Sequence, residues 1–192
     1  MFDLVKASTR KPELYATSTD FCRIFEKNMN RLYLLSLLLT GSHAVAEKCF
    51  VQGLADSKES NPVFKEWAES WARRTIVQNA IQIIRPKPTD LAVPDVALGD
   101  TGLPAEIAAI LELPAFDRFA YVLSVLEGYA LQECALFLDC TRGEVVAARM
   151  RALQEVVKLM KSSNRSENIH VENQVQRENT ALNDFSRLAA TA

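Results

Sequence analysis

The chain has 192 residues, of which 48% are hydrophobic and 24% are charged, and its formal net charge is -2. This composition excludes a disordered protein and suits one or two small globular domains. With a net charge near zero, a nucleic-acid binder of this size would have to concentrate its basic side chains locally. The N-terminus lacks the apolar region of a signal peptide, and the longest apolar run (31–41) is too short to span a bilayer. We therefore expect a cytoplasmic protein.

The residues that usually hold metals or carry catalysis are sparse. Four cysteines stand at positions 22, 49, 134 and 140 without a CxxC pair, and only His43 and His170 could join them at a zinc site. Each cysteine lies in an apolar pattern, so we expect buried, reduced thiols. Neither an HExxH motif nor a Gly-rich phosphate loop occurs. The sequence therefore predicts no metal, no cofactor, no small-molecule substrate and no enzymatic activity.

Proline and glycine divide the chain into two helical parts. The expected order is a flexible N-terminus (1–19), a helical domain (20–87), a Pro- and Gly-containing linker (88–112), a second helical domain (113–161) and a polar tail (162–192). The linker carries one helical turn around 104–113, and the tail could include a short docking helix with Leu182, Phe185 and Leu188. No alternating strand pattern competes, so the predicted class is all-α.

Apolar periodicity places three helices in the first part. One helix begins at Asp20 and continues to Leu39, and the stretch 40–43 is a turn. A second helix covers 44–54, followed by a polar loop over 55–62. Pro62 fits the first turn of a third helix that ends before Pro86.

The second part reads as three short helices. The first stops at Gly128, and the second covers 131–138. Thr141 and Glu144 have the spacing of a capping box, which predicts the start of the last helix. Its predicted inward stripe is Val146, Met150, Leu153, Val157 and Met160.

Two helices with a three- or four-residue break before a capped last helix have the outline of a helix-turn-helix, although ordinary helical hairpins share it. The outer positions that would contact DNA are Arg142, Glu144, Arg149 and Arg151. Ala147 and Ala148 offer no hydrogen bonds, and residues 113–161 hold six basic and six acidic side chains. Such a balanced module should bind DNA weakly without a second contact surface.

The first part is better equipped for DNA contact. Residues 20–87 carry ten basic and seven acidic side chains. Basic and amide side chains follow two tryptophans, a mixture that can hold an opened strand by stacking and phosphate contacts. This set is Trp67, Trp71, Arg73, Arg74, Gln78 and Asn79. The alternative is that Phe64, Trp67 and Trp71 form only a core stripe.

Taken together, the two parts resemble the small, two-domain sigma factors of bacterial RNA polymerase, the extracytoplasmic-function type. The likeness covers roughly 20–85 and 113–158. The matching residues in the first part are Leu32, Tyr33, Leu35, Leu39, Thr40, Gly41, Ala46, Glu47, Phe64, Trp67, Ala72 and Arg73. Those in the second part are Leu113, Pro114, Glu127, Gly128, Cys140, Gly143, Val145, Arg151 and Ala152. Their order and spacing along the chain carry the resemblance.

The resemblance implies a transcription initiation factor that binds core RNA polymerase and directs it to promoter DNA. The first part would read and melt the minus-ten element, and the helix-turn-helix would read the minus-thirty-five element. Glu47, Lys48 and Gln52 lie in the part that the family uses to bind the polymerase. An anti-sigma factor is a further partner that the resemblance implies.

Two departures from the family pattern keep other functions open. Lys48 and Gln52 replace acidic residues, and Val146, Ala147 and Ala148 replace a basic Lys-Ser-Arg run. An ungapped alignment puts Arg149 at a core leucine, whereas periodicity places Met150 inside instead. The alternatives are a sigma-fold adaptor or regulator with lost or altered promoter recognition, and a stand-alone helix-turn-helix repressor.

Overall fold

The structure is a computed structural model that describes residues 14–59, 62–89 and 103–161. Within these ranges the chain is all-α, as predicted, and its single β feature is an isolated bridge between Tyr15 and Phe64. The helices in chain order are α1 (Ser18–Lys27), α2 (Met29–Thr40), α3 (His43–Glu59), α4 (Ala68–Ile84), α5 (Ala105–Leu111), α6 (Ala115–Tyr121), α7 (Leu131–Phe137) and α8 (142–161). We call residues 14–59 and 62–89 the first segment and residues 103–161 the second segment.

Asn28 divides the first predicted helix into α1 and α2. Its backbone leaves the helical conformation, with φ -106° and ψ 20°. The backbone N–H and the side-chain Nδ2 of Asn28 both donate to the carbonyl of Ile24, at 2.9 and 3.0 Å. Asparagine competes for backbone hydrogen bonds in this way and so interrupts helices. The prediction of one helix from Asp20 to Leu39 was therefore wrong.

The next two helices differ from the prediction at their ends. α3 continues to Glu59 instead of stopping at Leu54, and Gly53 lies inside it, packed against Ile76 of α4. Asp56 in the extended part accepts hydrogen bonds from Gln52 and Asn79, both at 2.8 Å. Pro62 lies outside any helix, since a 3-10 turn at Lys65–Trp67 precedes α4. The expected turn at 40–43 is confirmed, with Gly41 ending α2 at φ 75°.

The inward face of α8 is not the predicted one. The buried residues are Val145, Ala148, Ala152 and Val156. Val146, Met150 and Val157 of the predicted stripe are 41%, 51% and 50% exposed instead. Two apolar rows run side by side on this helix, and periodicity favoured the row with the larger side chains. The smaller row packs inward because alanines allow close approach of neighbouring helices. The predicted inward position of Met150 was therefore wrong, and Arg149, which the ungapped alignment places at a core leucine, is only partly buried.

The cysteines follow the expectation only in part. Cys49 and Cys134 are buried, and burial raises the pKa of each thiol to about 11. Cys140 is partly buried, whereas Cys22 is exposed on α1, contrary to the prediction of four buried thiols. None of the described helices is both long enough and apolar enough to cross a membrane.

The two segments share one continuous set of buried apolar side chains. α2 of the first segment contacts α5 and α6 of the second. Arg118 of α6 lies in this contact and is only 3% exposed. Its guanidinium donates to the carbonyls of Leu111 and Leu113 at 3.2 Å and to that of Leu39 at 3.4 Å. Arg118 therefore joins the C-terminal ends of α2 and α5.

Gly41 is the residue on which the Arg118 guanidinium rests. A Cβ at Gly41 would lie 2.9 Å from one guanidinium nitrogen, whereas a Cβ at Gly128, whose φ of 72° is similar, would have no atom within 4 Å. We expect Gly128→Ala to lower the free energy of unfolding by about 1 kcal/mol from backbone strain alone. Gly41→Ala should lower the free energy of unfolding by about 1–3 kcal/mol more, because the added methyl group displaces the Arg118 guanidinium from the carbonyls that it binds. Urea denaturation measures the free energy of unfolding of both variants. Equal losses in the two variants would contradict the contact between Gly41 and Arg118.

Candidate nucleic-acid interface

The outer face of α4 carries the side chains best suited to contact nucleic acid. Trp71, Arg74 and Gln78 lie on α4 at steps of three and four residues and therefore share one face. Trp67 lies four residues before Trp71, in the 3-10 turn that precedes α4, and we count it with them as the outer face of α4. Trp67 is 58% exposed, so it does not belong to a core stripe. Trp71 is half-buried, and its indole N–H has no hydrogen-bond partner among the described residues. The face therefore offers an aromatic surface followed by a cation and an amide.

An aromatic cluster supports Trp67 at the start of this face. Phe64 packs edge-on against Trp67 with ring centroids 5.2 Å apart, and Tyr15 stacks on Phe64 at 4.8 Å. Trp67 lies in the 3-10 turn that precedes α4, and its side chain is exposed. Sequence reasoning missed Tyr15, since its partner lies 49 positions further along the chain and no local pattern links them.

Arg73 and Asn79 do not join this face. Arg73 points toward the second segment, where its guanidinium lies 3.8 Å from the carboxylate of Glu127. Asn79 is buried and donates to the Asp56 carboxylate at 2.8 Å and to the Thr75 carbonyl at 2.9 Å. The structure therefore separates the predicted six-residue set, and Asn79 holds α4 to α3 instead of reaching solvent.

The second segment lies directly beside the outer face of α4. The guanidinium of Arg74 stands 4.8 Å above the ring of Phe137 in α7, a cation–π contact. A groove of about 550 Å³ separates α4 from α7. Its lining is Arg74, Gln78, Ile81, Gln82, Glu133, Leu136 and Phe137. Of the predicted DNA-contacting cations, Arg73 and Arg74 are thus both engaged by the second segment.

The predicted contacts of α8 are partly used by the fold. Glu144 accepts from the backbone N–H and the hydroxyl of Thr141, both at 2.7 Å, and these hydrogen bonds lower the pKa of its carboxyl group. Arg151 donates to both carboxylate oxygens of Asp117, at 3.0 and 2.6 Å. The capping box is confirmed, but Glu144 and Arg151 are held within the second segment.

Over residues 142–150, the remaining exposed surface of α8 is mostly apolar. Arg142 is exposed and Arg149 is partly buried, whereas Val146 and Met150 lie between and beyond them in solvent. Apolar side chains offer no hydrogen bonds to phosphates or to base edges, apart from contact with thymine methyl groups. This helix can lie in a groove but has little with which to grip it.

The predicted polymerase-binding residues are accessible. Glu47, Lys48 and Gln52 are all exposed on α3. Gln52 donates to Asp56 at 2.8 Å. A shallow groove of about 570 Å³ between α3 and α4 is lined by Lys48, Gln52, Asn79, Gln82, Ile83 and Arg85. The α3 surface and the outer face of α4 therefore adjoin at Gln82, which lines both grooves.

No protein-family model matches this chain, and no curated protein is significantly similar to it. The family resemblance of the sequence thus stands on its own motifs.

Arg151 distinguishes a structural role from a DNA-contacting one. Its partner Asp117 has a side chain only 6% exposed, whereas that of Arg151 is 44% exposed. We expect Arg151→Ala to lower the free energy of unfolding by about 1–3 kcal/mol, because a buried carboxylate loses its partner while one end of the pair stays solvated. The exposed Arg142 gives the matched control, with Arg142→Ala within about 0.5 kcal/mol of the parent. Chemical denaturation measures the free energy of unfolding of both variants. Equally small losses for the two variants would show that Arg151 has no structural role.

Proposed function

We infer that the chain is a sigma-like transcription initiation factor that binds core RNA polymerase and directs it to promoter DNA. The observation that carries this proposal is the outer face of α4, where an exposed Trp67 is followed by Arg74 and Gln78 in one row. This is the part of the chain that, by the resemblance, reads the minus-ten element. The proposal places the protein in the cytoplasm, where bacterial polymerase works.

The chemistry of this face suits an opened strand. Unstacked bases bind to aromatic rings at about 1–3 kcal/mol per base, without strong sequence preference. Trp67 offers such a ring, and Arg74 offers a cation for the phosphate backbone. Gln78 adds an amide that can donate to or accept from a base edge. The chain would bind and position DNA, and it would catalyse no reaction.

The position of the α3 surface supports contact with polymerase at the same time. Glu47, Lys48 and Gln52 are exposed on α3, outside the row of side chains proposed to contact DNA. Lys48 and Gln52 stand where the family has acidic residues, so the polymerase surface opposite them would be less basic than in the family.

DNA binding in this scheme requires the two arginines of α4, Arg73 and Arg74, to exchange their partners in the second segment. The ion pair of Arg73 with Glu127 is partly solvated and contributes about 0–1 kcal/mol. The contact of Arg74 with Phe137 contributes about 0.5–2 kcal/mol. Phosphate groups can replace both partners, so these two contacts set a low threshold for binding.

A second candidate, a sigma-fold adaptor with lost or altered promoter recognition, is favoured by α8. Val146 and Met150 occupy its outer surface, while Glu144 and Arg151 are held by Thr141 and Asp117. An adaptor would keep polymerase binding through α3 without reading a promoter. The same features disfavour a stand-alone repressor, because a repressor must grip duplex DNA with α8 alone.

Run-off transcription with purified core polymerase, on a library of promoter fragments, separates these functions. A sigma-like factor gives specific transcripts, and Trp67→Ala or Arg74→Ala should reduce them about 5- to 100-fold because each removes a contact to the opened strand. Arg31→Ala changes an exposed arginine of α2 and serves as the matched control, with transcripts unchanged. Co-purification with core polymerase but no transcript would establish the adaptor. If the protein neither binds core polymerase nor gives any transcript, both candidates are contradicted.

A further inference from the structure

An apolar stripe on α8 faces solvent in the described part of the chain. Val146, Met150 and Val157 are 41%, 51% and 50% exposed, and Leu153 between them is partly exposed. Their spacing of four, three and four residues aligns them on one side of the helix over a length of about 16 Å. We call these four residues the α8 stripe.

The α8 stripe is separate from the core contact of its own helix. α8 packs inward through Val145, Ala148, Ala152 and Val156. The stripe lies to one side of this row, with Arg142 and Arg149 along its margin. Lone exposed apolar side chains are common, but a continuous row of four on one helix is typical of a surface that another element covers.

The chain itself contains a segment of matching pattern. Residues 181–189 read ALNDFSRLA, with Leu182, Phe185 and Leu188 at steps of three. In a helix these three residues and Ala181 and Ala189 share one face, and Asn183 lies on the opposite side. This segment lies outside the described residues.

The length of chain between the two elements allows them to meet. α8 is described as far as residue 161, and nineteen mostly polar residues, 162–180, lead to Ala181. A random coil of nineteen residues would span about 24 Å on average. The centre of the α8 stripe, near Met150, lies about 16 Å back along the helix from residue 161. The tether therefore reaches without having to be fully extended.

We propose that residues 181–189 of the same chain cover the α8 stripe. In this proposal Leu182, Phe185 and Leu188 form the apolar face that packs against the stripe. A tethered segment experiences an effective concentration in the millimolar range, so a small apolar contact is enough to hold it.

A second copy of the chain fits the stripe less well than this segment does. Four partly exposed side chains offer an area on the order of a few hundred Å², well short of the roughly 1,200 Å² of a stable protein–protein interface. Covering the stripe from within the chain avoids the loss of translational and rotational freedom that association of two molecules requires.

The proposed contact makes the segment an internal competitor for the outer surface of α8. Any partner of that surface, whether a duplex or a protein, has to displace residues 181–189 first. This holds for the sigma-like factor and for the adaptor alike, so the inference does not depend on which of the two functions is correct.

Photo-crosslinking in the full-length chain tests the proposal. Met150 is replaced with p-benzoylphenylalanine, the purified protein is irradiated, and tryptic peptides are identified by mass spectrometry. The expected product is an intramolecular crosslink to the peptide 178–187, which trypsin releases between Arg177 and Arg187. The same photoprobe at Lys158, exposed on the polar side of α8, should give at least about fivefold less of it.

Two substitutions of equal charge supply the matched control. Phe185→Asp places a carboxylate in the apolar contact and should reduce the crosslink at least about tenfold, since burying a charge there is unfavourable. Asn183→Asp adds the same charge on the opposite side of the segment and should leave the yield unchanged. Crosslinked species of dimer size, crosslinks from position 150 only to other peptides, equal yields from 150 and 158, or no crosslink at all would each overturn the proposal.

Discussion

The arrangement of the two segments depends on the burial of Arg118. Its guanidinium is 3% exposed, and no ion pair to it is seen among the described residues. Its partners are carbonyls at the C-terminal ends of α2 and α5. Carbonyls at these positions accept no hydrogen bond within their own helix and carry the negative end of the helix dipole. Burial lowers the pKa of Arg118 to about 10, so the side chain remains a cation at neutral pH. Burying this charge costs several kcal/mol, and moving either helix away would leave the guanidinium without its hydrogen-bond acceptors. The buried charge therefore favours the arrangement in which both helix ends meet it.

Three other arginines also make contacts within the fold. Arg151 binds Asp117, the residue next to Arg118, and so ties α8 to α6. Arg73 and Arg74 meet Glu127 and Phe137 across the segments. Arginines of the kind that can bind DNA phosphates therefore make contacts within the fold. They differ in how accessible their side chains are. Arg118 is inaccessible, the Arg151 side chain is 44% exposed, and Arg74 is exposed beside the Phe137 ring.

Local signals in the sequence predicted what depends on neighbouring residues. The turn at Gly41, the stop at Gly128 and the capping box of Thr141 and Glu144 follow from the chemistry of single residues at fixed spacing. The all-α class and most helices follow from apolar periodicity in the same way. Partnerships between distant residues could not be predicted, because nothing near Arg73 or Arg151 in the chain specifies Glu127 or Asp117. On α8 the choice between two adjacent apolar rows depended on what packs against them, and the sequence of that helix does not contain this information.

The most direct test of this account is the distance between the segments in the free protein. Spin labels at Lys27 on α1 and Gln154 on α8, both exposed, report it by electron paramagnetic resonance once Cys22 and Cys140 are replaced with serine. If Arg118 holds the segments together, the parent protein gives one narrow distance distribution, and Arg118→Met broadens it while the helical content measured by circular dichroism is retained. A broad distribution in the parent protein, or an unchanged narrow one in the variant, would contradict the account.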